Sequence, residues 1–424
     1  MWILLMYFFY IGLFYLVLPL LIVFQYFRSI KKKSYHARWK EYFGFYAGKH
    51  NQQVIWLHAA SVGEVEAANV LINYFHDHYP YKILITTSTE PGYQRVCALQ
   101  GDKVEHVYLP LDLPDAMARF YSHFQPRIAV IMETEIWPVL FIQCAEKSIP
   151  LFIVNARLSA KSVKSYLKLQ FFLQRIFSDI KGVVVQTEDD ALRYRQIGVN
   201  AEKITVSGNM KLDMAIPDAT LQQAKKIKQG LFAQRLIFVV GSTHPGEDGA
   251  FLKVYQRLKQ RFPTLLLVLV PRQPKRASDI IQLCRTEKLN IVSRTESRTC
   301  TADTDVYLVD TMGELKLMYA LADCSFVAGS MVPIGGHNIF EPILLGVPVL
   351  FGPYMKNSEL LAQQLLDVNG AMQCFNETDI EQNVALILSQ PDKKALLVDA
   401  GRAFVEQNKG AVQRTIAVID RFMP

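Results

Sequence analysis

The chain has 424 residues, half of them hydrophobic and a fifth charged, with a net charge of +7. That composition excludes a disordered chain, and the length favours two domains of roughly 150 to 200 residues over a single core. The modest positive charge suits anionic partners such as acidic lipid or phosphorylated ligands, and no arginine-rich arm or zinc-ligand spacing points to nucleic acid. Cys97, Cys144, Cys284, Cys300, Cys324 and Cys374 form no CxxC pair and read as free thiols of a reducing compartment.

Residues 2–27 carry no charge. At about 1.5 Å per helical residue they are long enough to cross a hydrocarbon core of about 30 Å. The segment is apolar on all sides and lacks both a basic leader and a small-x-small cleavage site. It therefore reads as an uncleaved transmembrane signal-anchor, with Tyr7, Tyr10, Tyr15 and Tyr26 able to anchor its ends and Pro19 expected to kink it. In the juxtamembrane segment 28–53 stand Arg28, Lys31, Lys32, Lys33, Arg38 and Lys40. By the positive-inside rule they keep the globular remainder in the cytoplasm, and they either hold it against anionic headgroups or act only as topology signals.

From residue 54 short apolar runs alternate with helical patterns. Strands are expected at 54–58, 82–87, 104–109, 127–132, 150–154, 182–186 and 203–207, and, after a break near 213–218, at 236–240, 265–270, 290–293, 306–309, 325–328 and 347–351. Such spacing implies βαβ units, and continuous runs such as IAVIM imply largely parallel sheets covered on both faces. The fold expectation is α/β, with two Rossmann-like domains at 54–213 and 214–424 whose last helix packs back across their junction. Two such halves facing each other would leave a ligand cleft at the carboxyl ends of the strands.

Several strand ends carry residues suited to chemistry. After the first strand, Ser61-Val62-Gly63-Glu64 delivers a carboxylate at a helix start. It fits a general base, and equally a capping box in which Glu64 returns a hydrogen bond to its own helix end. His58 beside it is either a satisfied core histidine or an acceptor contact. Glu133 and Glu135 of ETEIWP invite a metal, yet no third ligand clusters with them. Lys211 of GNMKLD can reach a phosphate or pair with Asp213. In the second half, GSTHPGED (Gly241 to Asp248) can cradle an anion on backbone N–H groups, and Arg272 of VPRQPKR suits a phosphate or carboxylate. Thr311 to Glu314 opens another helix. In VPIGGHNIFEP, glycines allow close backbone approach, and Glu341 either accepts from ribose hydroxyls or closes a capping box with Asn338.

Taken in order, SVGE, ETEIWP, NARLS, GNMKLD, GSTHPGE, VPR, MGEL and GGHNIFEP resemble the Kdo transferases of Gram-negative bacteria, which move 3-deoxy-D-manno-oct-2-ulosonic acid from CMP-Kdo to a lipid A precursor. The resemblance covers nearly the whole chain. It implies a GT-B fold, two Rossmann-like domains facing across a cleft, with no metal or other cofactor. It implies an acceptor site in the N-terminal domain, expected against Ser61, Gly63, His58 and Glu133, with Glu64 as catalytic base of an inverting transfer. CMP-Kdo is expected mainly in the C-terminal domain, against Ser242, Thr243, His244, Pro271, Arg272, Met312, Gly313, Glu314, Asn338 and Glu341, with Lys211 from the hinge. The setting so implied is a single-pass protein of the inner membrane whose globular part works on lipid IVA at the anionic cytoplasmic face. A GT-B transferase using another nucleotide sugar, and a non-catalytic glycolipid-binding membrane scaffold, remain the alternatives.

Overall fold

The computed structural model describes residues 2–30, 33–48, 50, 52–213, 218–230, 232, 235–296 and 300–423. The chain divides into two compact units, Met1–Met214 with Asn408–Pro424, and Ala215–Gln407. The break expected near 213–218 falls on 214–217, outside the described residues.

In the first unit, strands β1 (Val54–His58), β2 (Lys82–Thr87), β3 (Glu105–Tyr108), β4 (Pro126–Met132), β5 (Leu151–Ala156), β6 (Gly182–Val185) and β7 (Ile204–Val206) form a seven-stranded sheet in the order β3-β2-β1-β4-β5-β6-β7. The pairing is parallel, with His58 in register with Thr86 on one side and Ile131 on the other. Every residue of β1 is buried, as expected when helices cover both faces. The chain runs outward from β1 to β3 and returns on the other side of β1 as β4. Loops leaving β1 and β4 therefore diverge at the carboxyl edge and open a crevice there. Glu64 follows β1 and Glu133 follows β4.

The second unit repeats the plan. Strands β8 (Leu236–Thr243), β9 (Leu265–Pro271), β10 (Ile291–Ser293), β11 (Val306–Leu308), β12 (Cys324–Val327), β13 (Val349–Phe351) and β14 (Met372–Gln373) are ordered β10-β11-β9-β8-β12-β13-β14. Here the order reverses between β8 and β12. The crevice is formed by the GSTHPGED loop and by the loop carrying GGHNIFEP.

The C-terminal helix Ala411–Ile419 belongs to the first unit. Ala411, Val412 and Ile419 join the core cluster that contains Leu57 and Val65. The Asp213 carboxylate accepts from the backbone N–H groups of Gly410 at 2.7 Å and Val412 at 2.6 Å.

The N-terminal helix runs Trp2–Ile30, with Pro19 inside it, and its side chains are described for residues 5–20 and 22. Among the described residues no helix is long and apolar enough to cross a membrane, so the spanning anchor expected at 2–27 is not supported. One face of the helix lies along the first unit instead. Met6, Tyr7, Tyr10 and Ile11 pack on its core; Tyr10 donates to Asp112 at 2.9 Å and Tyr15 to Asp115 at 2.6 Å. Tyr10 and Tyr15, read as interface anchors, serve here as donors to a buried and an exposed carboxylate, a use that an uncharged stretch does not reveal. Leu5, Phe8, Phe9, Leu16 and Leu20 point outward, each at least 60% exposed.

Lys31 and Lys32 lie outside the described residues, as do the side chains of Arg28 and Lys33. Arg38 is spent within the fold. It donates to Glu41 and to the His106 carbonyl, both at 2.6 Å, and lies over the rings of Tyr93 and Tyr108.

Candidate active site

β1 ends at His58, and the helix Val62–His78 starts just beyond Ser61, which has extended backbone (φ −129°, ψ 169°) and makes no side-chain cap. The S-x-x-E pattern therefore does not close into a capping box. The Ser61 hydroxyl donates to Glu64 Oε1 at 3.1 Å, and the backbone N–H of Ala60 donates to Glu64 Oε2 at 2.5 Å. Glu64 is only 8% exposed. Burial first, and the charge of Glu133 second, push its carboxyl up to about 7; the Ala60 N–H opposes this, Glu135 adds to it, and Ser61 opposes it.

Around this carboxylate the crevice gathers further charge. Glu133 has φ +56° and follows β4 directly, a backbone bend that turns the ETE segment out of the sheet. Lys211 Nζ lies 3.6 Å from Glu133 Oε1. It also lies 3.8 Å from where a Cβ on Gly63 would stand. Glu135 accepts from Trp137 Nε1 at 2.7 Å, and its carboxyl is raised by burial and then by Glu133, against the Trp137 bond.

His58 is fully buried. Its Nδ1 faces the Thr86 carbonyl at 3.1 Å and the Thr86 hydroxyl at 2.9 Å, and burial lowers its pKa to about 4. The carbonyl oxygen only accepts whereas the hydroxyl can also donate, so Nδ1 either gives a proton to the carbonyl or takes one from the hydroxyl. Its Nε2 has no hydrogen-bond partner among the described residues and lies 4.0 Å from Glu135 Oε2.

In the second unit the residues expected at the donor stand on loops at the carboxyl edge of the sheet. Ser242 (φ +64°) and Thr243 close β8, and the Thr243 hydroxyl is buried without a hydrogen-bond partner among the described residues. Pro271 closes β9, and the Arg272 backbone N–H donates to the Thr243 carbonyl at 3.1 Å. The Arg272 side chain makes no ion pair among the described residues, whereas Arg276 is bound to Asp248. On the loop after β11, Met312 is exposed, Gly313 has φ +87°, and Glu314 is held by Arg294 at 3.0 Å and by Thr311. Arg294 and Thr311 keep its carboxyl below the usual range against the opposing pull of burial, which is the largest single influence.

After β12, Asn338 Oδ1 accepts from the Phe340 N–H at 3.1 Å, and Asn338 Nδ2 donates to Glu341 Oε1 at 3.4 Å. The Asn338 amide thus holds both the backbone two residues on and the Glu341 carboxylate. Glu341 is 7% exposed.

Two residues that sequence reasoning passed over organise these loops. Glu247 is 1% exposed and accepts backbone N–H bonds from His244 at 2.9 Å, Gly329 at 2.8 Å and Met331 at 3.1 Å. It thereby ties the loop after β8 to the loop after β12. His337 meets His244 ring to ring, Nε2 to Nε2 at 2.8 Å with the planes 10° apart. An acid three residues after His244 and just before a helix was the available signal for Glu247; nothing local marks the His337 contact.

The sites expected from sequence thus fall into separate groups. Ser61, Gly63, Glu64, His58, Glu133 and Lys211 share the first unit's crevice. Asp213, its neighbour in the motif, is occupied by the C-terminal helix. Among the described residues no group of three or more His, Cys, Asp or Glu side chains is arranged to hold a metal ion.

Comparison with known proteins follows the same lines. Residues 37–214 match the family model described as 3-deoxy-D-manno-octulosonic-acid transferase (kdotransferase). The chain is 37% identical over 420 residues to the 3-deoxy-D-manno-octulosonic acid transferase of Haemophilus influenzae, covering 98% of each chain. Among solved structures, the UDP-GlcNAc 2-epimerase of Neisseria meningitidis gives a TM-score of 0.59 at 14% identity, over 87% of this chain and 100% of that one. A glycosyltransferase from Rickettsia africae gives 0.57 at 12% identity, over 88% and 99%. At such identities the likeness concerns the fold, which is GT-B-like.

Proposed function

Because the chain belongs to the Kdo transferase family, with 37% identity to a member over nearly its whole length, we propose that it moves Kdo from CMP-Kdo to the lipid A precursor lipid IVA, with Glu64 as general base. Glu64 takes the proton of a sugar hydroxyl on the acceptor as that oxygen attacks the anomeric carbon of Kdo. The bond from this carbon to the phosphate oxygen breaks with its electron pair, and CMP departs with inversion at the carbon. Arg272 and the backbone N–H groups of the second unit's loops oppose the charge that appears on the phosphate.

The observation that carries this reading is the buried Glu64 carboxyl, raised to about 7 beside Glu133. A base of that pKa is about half ionised at pH 7, still present as carboxylate and still able to hold a proton drawn from a hydroxyl, an effect worth roughly 10²- to 10⁴-fold in rate. No step calls on a metal, so EDTA should leave the rate unchanged. The outer face of the N-terminal helix supports work at an anionic membrane surface by in-plane contact, where the amphiphilic acceptor also resides.

The test is Kdo transfer from CMP-Kdo to lipid IVA by the purified protein, read by mass spectrometry, together with thermal protection by nucleotides. Protection by CMP and not by UDP supports the donor assignment. Protection by UDP alone points to another nucleotide sugar, and binding without product points to a scaffold.

A further inference from the structure

Outside the steps just given, the most unusual contact in the second unit is the His244–His337 pair. It joins the loop after β8 to the loop after β12, and the close approach is built in. Gly329 has φ +70°, and a Cβ there would stand 2.9 Å from the His337 ring and 3.3 Å from that of His244. Glu247 holds the backbone on both sides of the pair. A separation of 2.8 Å between the two Nε2 atoms leaves no room for a tetrahedral zinc ion, whose bonds of about 2.0 Å would set the nitrogens roughly 3.3 Å apart. The contact is a hydrogen bond, so one ring donates and the other accepts.

Such a pair can accept one further proton without losing the bond. An imidazolium still donates from Nε2 to its neutral neighbour, and the bond becomes charge-assisted. A second added proton would set two N–H groups against each other. The groups facing the pair set its resting state. Burial, then Arg276 and Arg272, lower the His244 pKa, while Asp248 raises it; burial, then Arg272 and His244, lower that of His337 to about 4. The resting pair is therefore neutral at pH 7. Arg272, which makes no ion pair among the described residues and whose charge is felt by both rings, makes the adjacent space one suited to an anion.

We propose that His244 and His337 act as one proton-sharing unit that takes up a proton from solvent when a phosphate dianion docks beside Arg272. This rests on the reading of the second unit as the donor half. During transfer the same charge arises when the carbon–oxygen bond breaks and its electron pair passes to the phosphate. The proton taken into the pair then offsets that charge, while the acceptor's own proton goes to Glu64.

The experiment is titration calorimetry of CMP into the full chain at pH 7.5, in buffers of differing ionisation enthalpy. Phosphate monoesters titrate near pH 6, so CMP is almost wholly the dianion there and uptake belongs to the protein. The wild type should take up a measurable fraction of one proton, and its CMP affinity should weaken as pH rises, by at most about tenfold per pH unit. The double variant His244→Gln/His337→Gln keeps an amide pair that can hydrogen-bond but cannot titrate. It should bind CMP more weakly and without proton uptake. His244→Gln alone, which leaves only the more buried ring, serves if the double variant fails to fold and should lose most of the uptake. Uptake of zero in the wild type, or undiminished uptake in the variants, overturns the proposal. Failure of CMP to bind while UMP binds overturns the donor reading instead, and the proton count with UMP still tests the pair.

Discussion

Lys211 pairs with Glu133 across 3.6 Å, while Asp213, two residues along the same turn, turns away to cap the C-terminal helix. The lysine therefore offsets the carboxylate whose charge does most, after burial, to raise Glu64. Removing it as Lys211→Met should raise the Glu64 pKa further and move the acid limb of the kcat/KM profile above 7. Glu133→Gln should move it the other way, toward the usual carboxylate range. Profiles measured from pH 5.5 to 9 check both directions, and a shift of the same sign in both variants would rule out this electrostatic account.

Glu64→Gln separates catalysis from folding. Its pKa of about 7, against the usual 4.5, means that the native state holds the proton more tightly than the unfolded chain. The stability it contributes is complete below pH 4.5 and is lost as pH rises through 7, by roughly 3 kcal/mol at most. The glutamine variant should thus be at least as stable as wild type at pH 8, and the difference should vanish toward pH 4.5. Its transfer rate should fall roughly 10²- to 10⁴-fold. Denaturant melts at both pH values and single-turnover rates measure the two effects; a variant with unchanged turnover would remove Glu64 from the mechanism.

Gly329→Ala should damage the donor half specifically. A left-handed backbone costs a residue with a Cβ roughly 1 to 2 kcal/mol, and the new methyl would press on the His337 ring. The expected result is a folded protein with the KM for CMP-Kdo raised about tenfold, equivalent to about 1.4 kcal/mol, and the KM for the acceptor unchanged. Equal changes in both constants would mean a general loss of structure.

Tyr10→Phe tests the docking of the N-terminal helix. Asp112 is 3% exposed and accepts from Val139 N–H at 2.9 Å, Leu140 N–H at 2.8 Å and the Tyr10 hydroxyl at 2.9 Å. Losing one bond to a buried carboxylate should cost about 1 to 3 kcal/mol, seen as a lower Tm in detergent-free buffer. An unchanged Tm would mean that the helix does not rest on the unit in solution.

Much of the fold was legible because buried parallel strands are written as unbroken runs such as VIWLH and LLLVLV, and Gly, Pro and Asp punctuate them. Met372–Gln373 was not, since a two-residue edge strand leaves no periodic trace. Residues 2–30 gave a correct helix in a setting that the described residues do not support. Absence of charge reports only that a segment shuns water, and the partners that hold it, Asp112 and Asp115, lie about a hundred residues away. The site divided in a similar way. Glu64, Arg272 and Glu341 stand where strand ends deliver them, which chain order reveals. Whether Glu64 closed a capping box turned on the Ser61 side chain, and spacing cannot set a rotamer. Glu247 and His337 act through partners on another loop, and a sequence read in one dimension does not join them.

The C-terminal helix has a last consequence. Since the chain leaves the first unit after Met214 and re-enters it at Asn408, the second unit is an insertion into the first, and the protein's final residues complete the half that bears Glu64. Shortening the chain before Asn408 would leave the second unit's own core whole. It would uncover the surface under Ala411, Val412 and Ile419 and free Asp213, two residues from Lys211. A C-terminal truncation is therefore a lesion of the unit that begins the sequence.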